Sequence, residues 1–264
     1  MKKSSAFLFR LSQTTACLLF GCVWVVCGTI CTASFGWTPP ETMPSDAILL
    51  FGQADDGTLV NRFLSKEGTP ADWRVEDGTL ISTSRRPVSE QDPVRSSHIF
   101  SEELFRDAEI HAEFMVSSEN SGNSGLYIHG NYELQIMDSH GKPGIDSKNT
   151  AGAVYGIQAP KVNAARPAGV WQTLDILYIA PRRDTAGKII QNGRITAWLN
   201  GQLIHEFAEF DEPVSHYHPF RYGATDHLRS LWQKQIETGF GPLFLQDHDS
   251  PVRFRNIWIR KIGE

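Results

Sequence analysis

The residues that could carry chemistry fall into three short stretches. The first is Tyr132-Glu133-Leu134-Gln135-Ile136-Met137-Asp138. Side chains alternate across a strand, so Tyr132, Leu134 and Ile136 point one way and Glu133, Gln135 and Met137 the other. With the first set in a core, a carboxyl and an amide stand on the opposite face, and Asp138 sits where the strand ends. The same period marks an ordinary solvent-facing strand. Glu and Gln are poor strand formers, however, which favours a working pair. The second stretch is Asn120-Ser121-Gly122-Asn123-Ser124-Gly125-Leu126-Tyr127-Ile128-His129. Its glycines and asparagines permit a tight backbone path, in a working loop or in a plain lead-in to a strand. Tyr127 and His129 are expected to share a face. The third stretch is Leu245-Gln246-Asp247-His248-Asp249 with Val252-Arg253-Phe254-Arg255-Asn256-Ile257. A histidine there can serve as base, acid or metal ligand. Arg253 and Arg255 lie on one face, where they can hold carbonyl or hydroxyl oxygens or pair with Glu133 or another carboxylate.

Several chemistries are absent from the sequence. It has no glycine-rich phosphate loop, dinucleotide fingerprint, Gly-x-Ser-x-Gly elbow or zincin motif. His216-x-His218 is the one spacing that suits a metal pair, so a divalent ion is the only cofactor left open.

The elements that must position these residues are mostly strands. Period-two alternation dominates from Ala47 onward. Strands are expected at Ala47–Phe51, Ile110–Val116, Leu126–His129, Tyr132–Met137, Val170–Ala180, Leu243–Gln246 and Val252–Arg260. Gly130-Asn131 is read as the turn between the third and fourth of these. Asp77-Gly78 marks a hairpin between Trp73-Arg74-Val75 and Thr79–Ser82. Asn200-Gly201 marks a second, between Arg194–Leu199 and Gln202–Phe207. Only Asp226–Glu237 reads as a helix, with Leu228, Leu231, Trp232 and Ile236 on one side. It lies in an insertion, Asp211 to Phe240, that also holds His216, His218, Tyr222 and His227 and is expected to cover one end of a sheet. Many short strands and little helix imply an all-β antiparallel sandwich forming one domain over 47–264, after an irregular segment, 34–46.

The N-terminal residues read differently. Lys2, Lys3 and Arg10 precede an apolar run from Ala16 to Ile30 and small residues at Thr32-Ala33-Ser34, the three parts of a secretory signal. Cleavage near Ala33 would leave an exported, periplasmic or extracellular chain. An uncleaved anchor or a lipidated Cys22 would tether the same domain outside the cytoplasm. All four cysteines (Cys17, Cys22, Cys27, Cys31) lie in this segment, so the remainder must be held by its core rather than by disulfides. About 230 residues suffice for that. The net charge of −5 and the lack of Lys/Arg-rich runs argue against nucleic acid or an anionic membrane as partner, and no integral membrane partner is expected.

Taken together, the motifs resemble a known family. Leu50-Phe51-Gly52, Trp73-Arg74-Val75-Glu76-Asp77-Gly78, Asn123-Ser124-Gly125-Leu126-Tyr127, Tyr132 to Asp138, Gly152-Ala153-Val154-Tyr155, Trp171, Asn200-Gly201, Gly241-Pro242-Leu243-Phe244-Leu245-Gln246-Asp247-His248 and Phe254-Arg255-Asn256-Ile257 occur in that order. The set is similar to the 3-keto-disaccharide hydrolase domain family, over about Ala47 to Ile262. The resemblance implies a concanavalin-like jelly-roll sandwich and cleavage of 3-keto-glucosides by 1,2-elimination and hydration. Such a site needs a base, an acid for the leaving group and donors for an enolate oxygen. The resemblance offers Glu133, Asp138 and His248 as base and acid, with the roles undivided, and Arg255 or Arg253 for the oxyanion. It offers Asn123, Tyr127, His129, Gln135, Tyr155 and Gln246 for sugar hydroxyls. It also implies a carbohydrate substrate oxidised beforehand by a separate sugar 3-dehydrogenase. A non-catalytic carbohydrate-binding module and an ordinary glucanase are the alternatives. A retaining glucanase needs two carboxyls about 5–5.5 Å apart, and Gln135 stands where the second acid of a glucanase strand would be.

Overall fold

The computed structural model describes residues 37–82, 98–118, 122–144, 147–210, 225–248 and 250–263. The N-terminal apolar run, most of the insertion, and His216, His218 and Tyr222 lie outside them. Described strands form two antiparallel sheets packed face to face, a jelly-roll sandwich. The smaller sheet runs β3 (Phe63–Leu64), β6 (Ile99–Phe105), β15 (Gly241–Leu245), β8 (Asn123–Ile128), β9 (Tyr132–Met137). The larger runs β14 (Gln202–Phe210), β13 (Gly193–Leu199), β10 (Gln172–Ile179), β7 (Ala108–Val116), β16 (Val252–Lys261), β1 (Ile48–Gln53), β2 (Leu59–Asn61). The hairpin of β4 (Arg74–Glu76) and β5 (Thr79–Ile81) joins it through β16, and β11 (Arg182–Arg183) with β12 (Ile189–Gln191) forms a separate ribbon.

Alternation builds the core. Leu126, Leu134, Ile136, Leu243 and Leu245 of the smaller sheet meet Ile110, Phe114, Ile176, Ile195 and Phe254 of the larger in one buried cluster. Full burial of each such side chain contributes about 1.5–3 kcal/mol. The two sequence-marked hairpins form as expected: Asp77 and Gly78 both have positive φ, as do Asn200 and Gly201. These are the left-handed residues that match strand twist.

The β8–β9 turn departs from expectation. Asn131 N–H donates to Ile128 O (3.0 Å), and the left-handed residues are His129 (φ 56°) and Gly130 (φ 65°). His129 therefore leaves the strand alternation and does not share a face with Tyr127. Its ring packs inward, edge-on to Tyr178 at 4.9 Å and 5.0 Å from Phe105.

The helix α1 (Asp226–Thr238) starts at Thr225, whose hydroxyl accepts from Leu228 N–H (3.2 Å), and stops at left-handed Gly239. Leu228 is buried, and Leu231 and Trp232 pack beside it against Phe100, Tyr127 and Phe244. Helix α1 thus covers part of the outer face of the smaller sheet. Ile236, expected on the same side, is exposed.

Candidate active site

Two rows of residues cross the outer face of the smaller sheet. In the first, register places Phe244 opposite both Phe100 and Tyr127, and Tyr127 opposite Glu133. The rings of Phe100 and Phe244 stack at 5.1 Å, and those of Phe244 and Tyr127 at 4.3 Å. In the second, Gln246 N–H donates to Gly125 O (2.9 Å), and Gly125 lies opposite Gln135. Gly125 is the keystone of this layout. A Cβ there would fall 2.4 Å from Glu133 Oε1, so only glycine lets the carboxyl lie over β8.

Polar contacts lock the arrangement. Tyr127 Oη donates to Glu133 Oε2 (2.5 Å), and Gln246 Nε2 donates to Tyr127 Oη (3.2 Å). Ser124 Oγ donates to Gln246 O (2.6 Å), and Gln135 Nε2 donates to Asn123 Oδ1 (3.0 Å). Gln246 Oε1 is buried without a hydrogen-bond partner. Along the other edge of β9, Tyr155 N–H donates to Glu133 O (2.9 Å) and Gln135 N–H to Ala153 O (3.0 Å). These bonds bring Tyr155 alongside.

Burial sets the electrostatics. Glu133 is 4 % exposed. Desolvation pushes its carboxyl up to about 7, against the smaller downward pull of the Tyr127 hydrogen bond. Such a group exchanges protons readily at neutral pH, the property a general acid or base requires. His98 adds a residue that the sequence did not mark. Its Nδ1 accepts from Asp247 N–H (3.1 Å), and its ring lies 5.0 Å from Phe244. Desolvation lowers its pKa to about 3, with the electrostatic influence of neighbouring His248 and Lys66 adding, so the imidazole is neutral. No local pattern signals His98; only the pairing of β6 with β15 carries it to this face.

The structure therefore gathers Asn123, Tyr127, Glu133, Gln135, Tyr155 and Gln246. Exposed His248 follows buried Asp247 just beyond the end of β15. Four other residues lie elsewhere. Asp138 closes a turn, accepting from His140 N–H (3.3 Å) and pairing with Lys142 (3.1 Å). His129 sits in the aromatic core, held neutral by desolvation. Arg253 and Arg255 occupy the outer face of the larger sheet. Arg253 bonds Thr79 Oγ1 (3.0 Å), and Arg255 pairs with Glu113 (2.7 Å) while its guanidinium covers the Trp171 ring at 4.0 Å. On that same face His111 and Asp175 pair at 2.6 Å, and His111 stacks on Trp258 at 5.1 Å. These pairings satisfy one another and read as cross-strand ties. Among the described residues, no group of three or more His, Cys, Asp or Glu is placed to hold a metal. No helix among them is long and apolar enough to cross a membrane.

Solved structures similar to this chain include two candidate glycosyl hydrolases of Parabacteroides distasonis. One is 28 % identical with a TM-score of 0.62, covering 84 % of this chain and 86 % of its own. The other is 19 % identical with a TM-score of 0.52, covering 82 % and 94 %, a likeness of fold. Comparison with curated proteins returns no match. The family model described as the 3-keto-alpha-glucoside-1,2-lyase-like domain matches residues 46–260.

Proposed function

Since the chain belongs to the 3-keto-alpha-glucoside-1,2-lyase-like domain family, we propose that it is an exported enzyme cleaving 3-keto-glycosides, with Glu133 as its proton-transfer residue. The observation that carries this reading is the buried Glu133 carboxyl, brought to about 7 and held by the Tyr127–Gln246 chain.

The chemistry suits one such carboxyl. A ketone at C3 acidifies the C2 proton. Glu133, ionised, takes that proton; the C2–H electron pair forms the enolate; the C1–O bond then breaks. The proton on Glu133 is available for the departing oxygen, leaving a 3-keto-2-hydroxy-glucal. Water adds across this double bond, its oxygen to C1 and a proton to C2, giving the 3-keto sugar. Tyr127 holds one carboxyl oxygen, which leaves the other to meet the substrate. Gln246 Oε1 and the Gln135–Asn123 pair supply positions for sugar hydroxyls. Neutral His98, on the same face, fits a site that must stabilise an oxyanion without attracting a second carboxylate. The substrate arrives already oxidised, so a separate dehydrogenase would precede this enzyme.

The test compares matched 3-keto and unoxidised glucosides in heavy water. Aglycone release from the keto substrate alone, with deuterium at C2 of the product, is the expected result. Release without C2 label, or equal release from both substrates, refutes elimination.

A further inference from the structure

We infer that a groove beyond the Asp138 end of β9 binds the carboxylate of an acidic sugar, an inference that rests on the glycoside reading of this chain. The groove is lined by His140, Lys142, Asn163, Arg166, Asn200 and Gln202. Among its described lining residues there is no carboxylate, although the whole chain carries a net charge of −5. Asp138 stands behind Lys142 and offsets part of that lysine's charge.

The lining is built rather than loose. Asn163 Nδ2 donates to Ser139 O (2.6 Å), and His140 Nδ1 donates to Ala165 O (2.9 Å). Asn200 Nδ2 donates to Ala164 O (2.8 Å). These bonds tie the 139–143 turn, the 163–167 loop and the β13–β14 turn into one wall. Donors remain within it. Arg166 commits Nη1 to Trp171 O (3.1 Å) and keeps the rest of its fork. Lys142 donates to Asp138 O (2.8 Å) and Oδ2 (3.1 Å), with a third N–H to spare. A guanidinium fork favours a planar carboxylate. The amide of Gln202 suits hydroxyls, and the flat faces of Pro143 and Pro167 suit the C–H face of a pyranose. A sugar acid satisfies all three features; a small inorganic anion uses only the cations.

Titration of the full chain with glucuronate, glucose and inorganic phosphate, followed by calorimetry and amide NMR, tests the assignment. Glucuronate is expected to bind and move the amides of 139–143 and 163–167, while glucose leaves them in place. Arg166→Gln should weaken glucuronate roughly tenfold, the loss of one charge-assisted contact. Arg166→Lys, which keeps the charge but loses the fork, should bind glucuronate with an affinity between those of the unmutated chain and Arg166→Gln, and unmoved amides away from the groove report the fold of both variants. Glucose moving the same amides, phosphate binding as tightly as glucuronate, or unchanged affinity in Arg166→Gln each overturns the inference. Failure of glucuronate to bind the unmutated chain, with intact turnover of a neutral 3-keto-glucoside, sinks the inference alone. Glucuronate binding here without turnover of any 3-keto-glucoside sinks the proposed function alone.

Discussion

Replacing Glu133 with Gln should make the protein less active and, above neutral pH, more stable. The carboxyl titrates near 4.5 in the unfolded chain and at about 7 in the fold. Between those values the folded state holds a proton that the unfolded state has released. Stability contributed by the neutral carboxyl is thus complete below about 4.5 and lost as pH rises through about 7. At about 1.36 kcal/mol per pH unit, the gap is worth roughly 3 kcal/mol. Glutamine keeps an acceptor for Tyr127 and never ionises, so it escapes the loss. For a domain of this size that corresponds to a melting difference on the order of 10 °C at pH 8 and about none at pH 4. Neutral His98 and His129 act with the opposite sign, stabilising as pH rises from about 3 through the ordinary histidine range. They are common to both proteins and cancel in the comparison. Thermal melts of both proteins across pH 4 to 8 are the assay, paired with turnover of a 3-keto-glucoside, which should fall about 10²–10⁴-fold. A melting difference that stays flat across this range refutes the buried-carboxyl reasoning.

Other expectations follow from the same geometry. Gly125→Ala forces the Glu133 carboxyl off β8, so turnover should drop by about 10²-fold or more while circular dichroism still reports a folded sandwich. Arg255→Met removes the tie to Glu113 and Trp171; it should lower stability by about 1–2 kcal/mol in urea titrations and leave KM unchanged. Leu228→Ala loosens α1 from the Phe100–Phe244–Tyr127 stack. It should cost about 2–5 kcal/mol of local stability, read as faster amide exchange in α1, together with reduced turnover.

Much of this architecture is legible residue by residue. Asn200-Gly201 and Asp77-Gly78 specify their turns because few residues tolerate paired left-handed dihedrals. The Tyr132–Met137 alternation places Glu133 and Gln135 on one face correctly, since the apolar partners have one core to enter. Thr225 and Gly239 bound the helix within a residue of its expected end. Legibility fails where a single dihedral resets the alternation. His129 looks like a strand residue two positions after Tyr127, yet its left-handed φ sends it inward. It fails again where the chain changes sheet. Gln246 and Arg253 are neighbours in sequence, but β15 and β16 belong to different sheets, so the arginines serve another face. Gly125 reads as a loop former and acts instead as vacant space for a carboxyl. His98 and Phe100 join the site only through register with β15, which no local pattern encodes.

The hydrogen bond from Tyr127 to one oxygen of Glu133 carries a stereochemical consequence. Gln246 holds the phenol from behind and cannot itself surrender a proton at neutral pH, so the chain is a clamp rather than a conduit. A carboxyl anchored through one oxygen, beneath a wall of stacked rings, can approach a bound pyranose from one side only. Proton removal and return at C2 would then occur on a single face of the ring, and the deuterium introduced in heavy water would emerge with one configuration rather than as a mixture of epimers.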